Sequence, residues 1–324
     1  MKFYYLESKD NDPHLNLSIE EYLLDNLLGD CCVFYLWQNE KTVVIGKNQE
    51  AAAECDLSKM KEEKITLARR CTGGGAVYHD LGNLNFSFLM TNEIYDVKKQ
   101  LEVIVKALKN CGITAEISGR NDLEAAGAKI SGNAFVTRKS HSLHHGTLLI
   151  SADFSAMGKY LTPSVYKLRK KTISSVKSRV INLSSIKPIT VAKLKAALIE
   201  SFCSTYDCRF EDPDWDFDID AYLTKHRNED YLYGIDNIKD HIIEGIFDDS
   251  YYKFCFNTQN TRIKDIIIYS DSLNDDIEKL LDKLPNKSNK EIKNILSSCF
   301  STTEAVKLAD RFKEALLAKA TDIS

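Results

Sequence analysis

The segment from Asn83 to Phe88 alternates strictly between polar and apolar side chains. One face of an extended strand receives Leu84, Phe86 and Phe88, and the other receives Asn83, Asn85 and Ser87. The apolar face predicts contact with a hydrophobic core, and the polar face is free to line a binding site. Strands with one polar face are typical of antiparallel sheets, because parallel sheets are usually buried on both sides.

Further strands and a few helices are predicted around this segment. Apolar residues at helical spacing predict a helix from Leu15 to Leu28, stopped by Gly29, and another from about Asp96 to Asn110, closed by Gly112. Short β-branched and aromatic runs predict strands at 33–37, 42–46, 65–69, 76–80, 113–118, 128–136 and 146–151. We expect the strand at 76–80 to form a hairpin with the Asn83 strand through the turn at 80–82. Short connections between many strands favour an α+β fold with mixed, largely antiparallel sheets and packed helices.

The C-terminal part of the chain carries its own set of predicted elements. Helical patterns at 190–206 and 218–226 precede it, and strands at 251–257 and 264–270 are followed by helices at 275–284 and 303–319. Such a segment can bury a small core of its own. We therefore predict two domains, residues 1–242 and a smaller α+β accessory domain of residues 243–324.

Composition narrows the functional classes. The formal net charge of −4 and the even spread of Lys and Arg argue against a nucleic-acid partner. The polar N-terminus and the lack of a long apolar run predict no signal peptide and no membrane span, so we expect a cytoplasmic protein. Nine cysteines without a CxxC pair predict small core residues in a reducing compartment rather than a zinc site.

The strongest local motif is the glycine cluster that runs from Arg69 to Asp80. Three successive glycines, Gly73, Gly74 and Gly75, let backbone N–H groups approach an anion, and the preceding arginines can pair with phosphate or carboxylate oxygens. This pattern predicts a phosphate cradle, although it is neither a Walker A motif nor a dinucleotide fingerprint. The alternative interpretation is a glycine-rich turn with solvated arginines.

Two further polar clusters follow along the chain. Asn121 and Asp122 lie in a predicted loop, and Lys129 begins a strand between small residues that can hold its ammonium in place. His144 and His145 stand at the start of another strand, where adjacent side chains point to opposite faces, so that at most one faces the site. The alternatives are an edge-strand lysine that blocks aggregation and a pair of structural histidines.

Taken in order, these motifs resemble those of the lipoate–protein ligase A family, within the biotin/lipoate protein ligase superfamily. The resemblance rests on RRCTGGGAVYHDLGNLNFSF (69–88), SGRNDL (118–123), GAKISG (127–132), HHGTLL (144–149) and KSRVINL (177–183). It covers essentially the whole predicted large domain, and the terminal segment resembles the accessory domain of the family. The resemblance implies a catalytic domain like those of biotin ligases and class II aminoacyl-tRNA synthetases.

The resemblance also implies a reaction and a set of residues. Members make lipoyl-adenylate from lipoate and ATP with Mg²⁺, then pass the lipoyl group to a lysine of an acceptor protein. The implied acceptors are lipoyl domains of 2-oxoacid dehydrogenase E2 subunits and the glycine cleavage H protein. The implied ATP-binding positions are Arg70, Gly75, Ala76, Val77, Tyr78, Asn83, Asn121, Asp122 and Lys129, with Lys129 as the catalytic residue. The implied lipoate-binding positions are Trp37, Arg70, Gly74, His79, Lys129 and His145. Magnesium would be held by the ATP phosphates, with Asp122 as a candidate protein ligand.

Three alternatives stay open at this point. An ATP-independent lipoyl or octanoyl transferase of the same fold would use a cysteine nucleophile, and Cys71 beside Arg69 and Arg70 is the candidate because cationic neighbours lower a thiol pKa. A biotin ligase is disfavoured because its GRGRRG-type loop is missing, and a non-enzymatic binder would bind without turnover.

For the ligase, we expect the Lys- and Arg-rich loop at 163–179 to order over the adenylate and exclude water.

Overall fold

The computed structural model describes residues 1–27, 29–118, 122–162, 180–213, 215, 218–234, 240–273 and 276–318. The strands are β1 (Lys2–Glu7), β2 (Cys31–Trp37), β3 (Thr42–Ile45), β4 (Thr66–Arg69), β5 (Val77–His79), β6 (Asn83–Thr91), β7 (Glu116–Ser118), β8 (Asp122–Ala125), β9 (Ala128–Ser131), β10 (Asn133–Thr137), β11 (His141–Leu149), β12 (His241–Phe247), β13 (Ser250–Gln259) and β14 (Arg262–Ser270). The helices are α1 (Pro13–Asn26), α2 (Ala51–Glu54), α3 (Leu57–Glu62), α4 (Val97–Asn110), α5 (Phe154–Tyr160), α6 (Leu183–Ile186), α7 (Val191–Tyr206), α8 (Asp220–Arg227), α9 (Glu229–Tyr233), α10 (Asp276–Lys283), α11 (Asn289–Leu296) and α12 (Thr302–Ala318), with a 3₁₀ turn at Asn92–Ile94.

Strand β6 lies at the centre of a five-stranded sheet in the order β1-β2-β6-β11-β10. The β1–β2 pair is parallel and the other three pairs are antiparallel, as the strand pattern predicted. Leu84, Phe86 and Phe88 are fully buried against helices α4 and α7, where the ring of Phe202 stacks on Phe88 with centroids 6.0 Å apart. Burial of each phenylalanine contributes about 1.5–3 kcal/mol, so this face anchors the sheet.

Three smaller sheets complete the described fold. Strands β4-β3-β5 carry the glycine-rich loop, β7-β8-β9 carry Asp122 and Lys129, and β12-β13-β14 lie in the C-terminal segment. The α+β class and the mixed, largely antiparallel sheets are confirmed. The C-terminal sheet packs with α10, α11 and α12 around a core whose buried members all lie between Ile243 and Leu316. A separate core supports the division into residues 1–242 and 243–324, which stays a prediction; its boundary falls inside β12.

The predicted hairpin between residues 76–80 and the Asn83 strand is wrong. Strand β5 pairs with β3, whereas β6 pairs with β2 and β11, so the turn at 80–82 carries the chain from one sheet to another. Gly82 is required there because a Cβ atom would lie 2.3 Å from the carbonyl oxygen of Ser151. A turn that joins two different sheets uses the same residue types as a hairpin turn, so the local sequence at 80–82 does not distinguish the two.

Helix α1 is present, and Leu23 and Leu27 of its predicted apolar set are buried, but its buried face also carries polar residues that the apolar spacing did not indicate. Leu15, Ile19 and Tyr22 are only partly buried, whereas Asn16 and Glu20 are fully buried. The helix begins after the N-cap Asp12, whose carboxylate accepts a hydrogen bond from the His14 amide at 2.8 Å. Polar residues on the buried face mean that α1 contributes hydrogen-bonding groups to the interior as well as apolar surface. No helix within the described residues is long and apolar enough to cross a membrane.

Candidate active site

A cavity of about 380 Å³ lies where the polar face of the five-stranded sheet meets the glycine-rich loop. Ten of the residues singled out from the sequence line it: Trp37, Arg70, Gly74, Gly75, Ala76, Val77, His79, Asp122, Lys129 and His145. Volumes of this order are typical of small-molecule sites. Three glycine-bearing segments that are separated in the sequence therefore come together at one cavity, as their positions at strand ends predicted.

The glycine-rich loop is organised from within by Arg70. Its guanidinium is buried and donates to the carbonyl oxygens of Gly73 at 2.6 Å and Gly75 at 2.8 Å. The loop also passes close to β3, since a Cβ atom on Gly46 would lie 2.3 Å from the carbonyl oxygen of Gly74. Gly74 itself has a φ of +92°, a backbone conformation that residues with a Cβ atom rarely adopt. The loop shape thus depends on Arg70 and on glycine at 46 and 74.

Arg70 keeps its positive charge in this buried position. Burial lowers its pKa to about 10, so the guanidinium stays protonated at neutral pH. Arg69 is buried too and donates to the backbone oxygens of Tyr231 and Leu232. The alternative of two solvated arginines is therefore wrong, because both guanidinium groups are directed into the protein.

Lys129 and Asp122 form an ion pair on neighbouring strands β8 and β9. The Lys129 Nζ atom lies 2.7 Å from Asp122 Oδ1, and both side chains are about one-third exposed. The left-handed turn at Ala126 and Gly127 brings the two strands together. A Cβ atom on Gly132 would lie 3.6 Å from Nζ, which is ordinary contact, so the ammonium rests against a small residue at the cavity edge. Lys129 is thus held in place, as its small neighbours predicted.

Trp37 and His79 form a second wall of the cavity. The indole Nε1 of Trp37 donates to Ser87 Oγ at 2.9 Å, and its ring meets His79 edge to face at 6.2 Å between centroids. Asn39 donates to His79 Nδ1 at 3.2 Å, which leaves the proton of the neutral ring on Nε2. Burial lowers the pKa of His79 to about 3, so this wall carries no charge at neutral pH.

The two adjacent histidines point to opposite faces of β11, as predicted. His144 is buried in the core between Gln100 Oε1 at 2.7 Å and Asn133 Oδ1 at 3.0 Å. His145 lines the cavity and contacts Glu20 and Thr72. One histidine is therefore structural and the other belongs to the site.

Some predicted positions lie elsewhere. Tyr78 packs on Tyr160 with centroids 5.7 Å apart, and Asn83 donates to Asn85 Oδ1 at 2.9 Å; neither lines the cavity. Their contact with a nucleotide stays a prediction. Asn121 and the loop at 163–179 lie outside the described residues.

Sequence reasoning missed other lining residues. These are Leu17, Val44, Asn85, Gly132, Asn133, Ala134, Gly146, Thr147, Asp271 and Leu273. The alternation in β6 placed Asn85 on the polar face, and this was the available signal for it. Gly132, Gly146 and Thr147 lie inside the GAKISG and HHGTLL motifs, which was the signal for them. The remaining residues had no such signal, because their contact with the cavity depends on how the chain folds.

The pKa predicted for Cys71 is wrong. Its thiol is buried, and burial raises its pKa well above the usual value despite the neighbouring arginines. Arg70 donates to backbone carbonyls and not to the sulfur. Cys71 is therefore a protonated core thiol and a poor nucleophile.

The C-terminal segment also reaches the site. Asp271 and Leu273 line the cavity, and the amide of Gly74 donates to the carbonyl oxygen of Ser272 at 3.2 Å. Ion pairs of Lys253 with Glu50 at 2.6 Å and of Lys47 with Glu278 cross between the same two parts of the chain. The predicted accessory domain thus forms one side of the cavity in this structure.

The donor set limits how a metal ion can bind. The described residues contain no group of three or more His, Cys, Asp or Glu side chains suited to a metal. Two carboxylates line the cavity: Asp122 is paired with Lys129, and Asp271 accepts from the Tyr251 amide at 2.8 Å. This arrangement fits a cation that arrives on phosphate oxygens and takes few ligands from the chain.

Comparison with known proteins agrees with this geometry. The family model described as "Lipoyl protein ligase A/B catalytic domain" matches residues 12–203, a range that contains every lining residue except Asp271 and Leu273. The chain is 39% identical over 290 residues to the lipoate-protein ligase A of Bdellovibrio bacteriovorus, with 86% of each chain covered.

Three solved structures are similar over most of the chain. The structure of P. falciparum LipL1 in complex with lipoate has a TM-score of 0.80 and 31% identity, covering 95% of this chain and 98% of that one. A bipartite lipoate protein ligase with its E2 lipoyl domain from Thermoplasma acidophilum has a TM-score of 0.64 and 29% identity, covering 72% and 97%. A lipoate-protein ligase A bound with ATP has a TM-score of 0.61 and 27% identity, covering 72% and 98%.

Proposed function

The chain belongs to the lipoyl protein ligase A/B catalytic family, and we propose that the cavity beside the glycine-rich loop is where it activates lipoate with ATP. The protein is a lipoate–protein ligase, which forms lipoyl-adenylate and then acylates the ε-amine of a lysine on an acceptor protein. The observation that carries the site proposal is the fixed ammonium of Lys129, held 2.7 Å from Asp122 at the edge of a cavity that also borders the glycine-rich loop.

The first half-reaction brings like charges together. The lipoate carboxylate attacks the α-phosphorus of ATP, a new O–P bond forms, and pyrophosphate leaves with the electrons of the broken P–O bond. Lys129 is placed to neutralise the carboxylate and the α-phosphate at once, and the buried charge of Arg70 adds positive potential beneath the loop. Because these charges are already in position, little reorganisation is needed when the substrates meet.

The apolar wall suits the acyl chain of lipoate. Leu17, Trp37, Val44 and Ala134 line the cavity together with the neutral ring of His79. An uncharged wall avoids the desolvation cost that an ionised side chain would impose on a hydrocarbon chain. We propose that the lipoate carboxylate faces Lys129 and that its hydrocarbon part lies along this wall.

In the second half-reaction a neutral amine of the acceptor attacks the acyl carbon of the adenylate, and AMP leaves. The free pKa of a lysine is about 10.4, so a base must take one proton. Asp122 and the oxygens of the bound substrates are the candidates; the Asp122 carboxylate is at the cavity and one-third exposed.

The finer assignments belong to the same proposal. We propose Mg²⁺ bound through the ATP phosphates, with Asp122 as the candidate protein ligand. The acceptors that we propose are a lipoyl domain of a 2-oxoacid dehydrogenase E2 subunit and the glycine cleavage H protein; support comes from the Thermoplasma ligase described with its E2 lipoyl domain. A cytoplasmic location stays a prediction from the sequence.

Mass spectrometry of the acceptor tests this function. The enzyme is incubated with ATP, lipoate and each acceptor, and matched reactions omit ATP or replace the acceptor lysine with methionine. We expect one lipoyl group on the intact acceptor and none in either control. Acylation without ATP from an acylated donor protein would instead indicate a transferase, which the buried Cys71 thiol disfavours.

A further inference from the structure

A buried polar chain connects helix α1 to the glycine-rich loop. The carboxylate of Glu20 is fully buried, accepts a hydrogen bond from the Ser87 hydroxyl and lies 2.9 Å from His145 Nδ1. On the other side of the imidazole, Nε2 lies 2.8 Å from Thr72 Oγ1. Arg70 Nε donates to the same threonine oxygen at 3.1 Å. The chain therefore runs from a carboxylate, through an imidazole and a hydroxyl, to the guanidinium that holds the loop.

The donors and acceptors fix the direction of each hydrogen bond. A carboxylate accepts, so a neutral His145 imidazole carries its proton on Nδ1, and its Nε2 is then an acceptor. The Thr72 hydroxyl accepts from Arg70 and has its own proton to donate, and His145 Nε2 lies within reach. Every link is satisfied when His145 is the Nδ1–H tautomer.

The two ends of the chain carry opposite charges. The other described hydrogen bonds of the Arg70 guanidinium go to the neutral carbonyl oxygens of Val44, Gly73 and Gly75. The negative charge of Glu20 attracts this guanidinium through the protein interior. A buried cation without such compensation is costly, so the carboxylate helps to keep Arg70 beneath the loop.

We propose that Glu20 is a positioning residue for the reaction, because it sets the His145 tautomer and, through Thr72, the orientation in which Arg70 holds the glycine-rich loop. Glu20 itself does not have to touch either substrate in this role. This inference rests on the proposed function of the cavity, and it adds a residue in α1 to the groups on which adenylate formation depends.

Loss of the acceptor at position 20 has a definite chemical consequence. With its proton on Nε2, His145 would donate to Thr72, whose oxygen would then accept from both His145 and Arg70 while its own proton lost its acceptor. Rotation of Thr72 towards another acceptor would weaken the hydrogen bond from Arg70 Nε, and the donors to the carbonyls of Gly73 and Gly75 would be held less firmly. A displacement of about 1 Å at a reacting group can lower a rate about 10²-fold.

The first test compares Glu20→Met with Glu20→Gln. Methionine has a similar size but no carboxylate, whereas glutamine keeps an oxygen that can accept from Nδ1. Nitrogen-15 NMR of His145 is expected to show the Nδ1–H tautomer in the wild type and E20Q, and the Nε2–H tautomer in E20M. We expect lipoate-dependent adenylate formation to fall about 10²-fold in E20M and by about tenfold or less in E20Q.

The matched control is Glu21→Gln. Glu21 is the next residue of the same helix and is also buried, but its carboxylate pairs with Lys225 and His226. E21Q is expected to lower stability while leaving the His145 tautomer and adenylate formation within about twofold of the wild type.

A second pair of variants tests the chain if E20M does not fold. Thr72→Ser keeps the hydroxyl and Thr72→Val keeps the shape without it. We expect T72S to stay within about threefold of the wild type and T72V to lose about 10²-fold in kcat for adenylate formation, while His145 keeps its Nδ1–H tautomer in both.

Equal rates for T72V and T72S would overturn the proposal, as would a folded E20M variant with an unchanged tautomer or wild-type activity. If the wild type itself forms no lipoyl-adenylate, the proposed function fails instead. The two failures are therefore distinguishable.

Discussion

Lys129 carries its charge at the edge of the cavity because Asp122 and small neighbours restrict where its ammonium can lie. A free lysine side chain would lose about 2 kcal/mol of rotamer entropy when ordered by a substrate. The ion pair with Asp122 supplies part of that ordering before any ligand arrives. Lys129 is therefore suited to stabilise a transition state in which negative charge gathers on one phosphate.

Replacement of Lys129 by alanine is expected to abolish adenylate formation in a folded protein. Loss of one preorganised charged donor lowers kcat by about 10²–10³-fold, and the uncompensated carboxylate of Asp122 adds to the repulsion. Pyrophosphate release with lipoate and ATP measures the effect. The matched control is Lys195→Ala, which removes a lysine paired with Glu7 at 2.9 Å, outside the cavity lining. Near-normal pyrophosphate release by K129A would remove Lys129 from the mechanism.

Cys71 is expected to be dispensable. Burial raises its pKa, so it is a core thiol rather than a nucleophile. The Cys71→Ala variant should keep acceptor lipoylation within about threefold of the wild type, after a small loss of packing. Acceptor mass after a timed reaction with ATP and lipoate measures this. Complete loss of transfer by a folded C71A variant would favour the transferase alternative.

Arg70 shows what the sequence can and cannot reveal about one residue. Its place beside three glycines predicted a cation at an anion site; Arg70 lines the cavity, and its contact with an anion stays a prediction. Its hydrogen bonds to the carbonyl oxygens of Gly73 and Gly75 were not predictable, because they depend on how the loop folds back over β3. Glu20 gave no sequence signal at all, since its partners Ser87 and His145 lie far along the chain.

Among the elements, the glycine-rich loop depends on the absence of a side chain at a close contact, whereas helix α1 depends on buried hydrogen bonds. The loop needs empty space at Gly46, where Gly74 of the loop approaches β3. Helix α1 needs filled hydrogen bonds on its buried face, where Asn16 accepts from the Tyr35 hydroxyl and Glu20 accepts from His145. The apolar periodicity of α4 predicted a helix from about Asp96 to Asn110, and the structure has it at Val97–Asn110. The apolar spacing of α1 gave no sign of the polar residues on its buried face.

Substitution of Gly46 by alanine is expected to displace the loop. The new Cβ atom would lie 2.3 Å from the carbonyl oxygen of Gly74, a backbone atom that can move only with the loop. We expect a loss of about 1–3 kcal/mol in the free energy of unfolding, by urea denaturation, and a larger fall in adenylate formation than in lipoate affinity.

The matched control is Gly158→Ala in helix α5, where a Cβ atom meets nothing within 4 Å. This variant should be more stable by about 0.5–1 kcal/mol with unchanged activity, because alanine is the better helix former. Wild-type stability and activity in G46A would show that the loop does not depend on this close approach.

Glu21 of α1 pairs with Lys225 and His226 of α8, and we expect the contact between these two helices to weaken in acid. Burial alone would raise its pKa, but hydrogen bonds from His226 and Lys225 outweigh this effect and lower the pKa to about 2. The folded pKa lies below the unfolded value, so the stabilisation is complete above about pH 4.5 and is lost as the pH falls towards 2. A shift of this size corresponds to about 3 kcal/mol.

The free energy of unfolding of the wild type and E21Q, measured from pH 6 to pH 3, tests this linkage. We expect the difference between the two proteins to shrink as the pH falls. A difference that stays constant over this range would show that Glu21 does not titrate with the lowered pKa.

At the scale of the whole molecule, the site is assembled from parts of the chain that are remote in sequence. Residues 17–147 supply most of the cavity, and Asp271 and Leu273 of the C-terminal segment close one side. The order of the motifs predicted the family and the α+β fold. It did not predict that the C-terminal segment reaches the glycine-rich loop, because neither Ser272 nor Leu273 has chemistry that marks a contact.

The proposed ligase reaction requires activation of lipoate before any acceptor is present. Lipoate-dependent exchange of labelled pyrophosphate into ATP measures this step directly in the wild-type protein. We expect exchange that requires lipoate and does not require an acceptor domain. No exchange by a folded enzyme, together with acyl transfer from a donor protein in the absence of ATP, would contradict it.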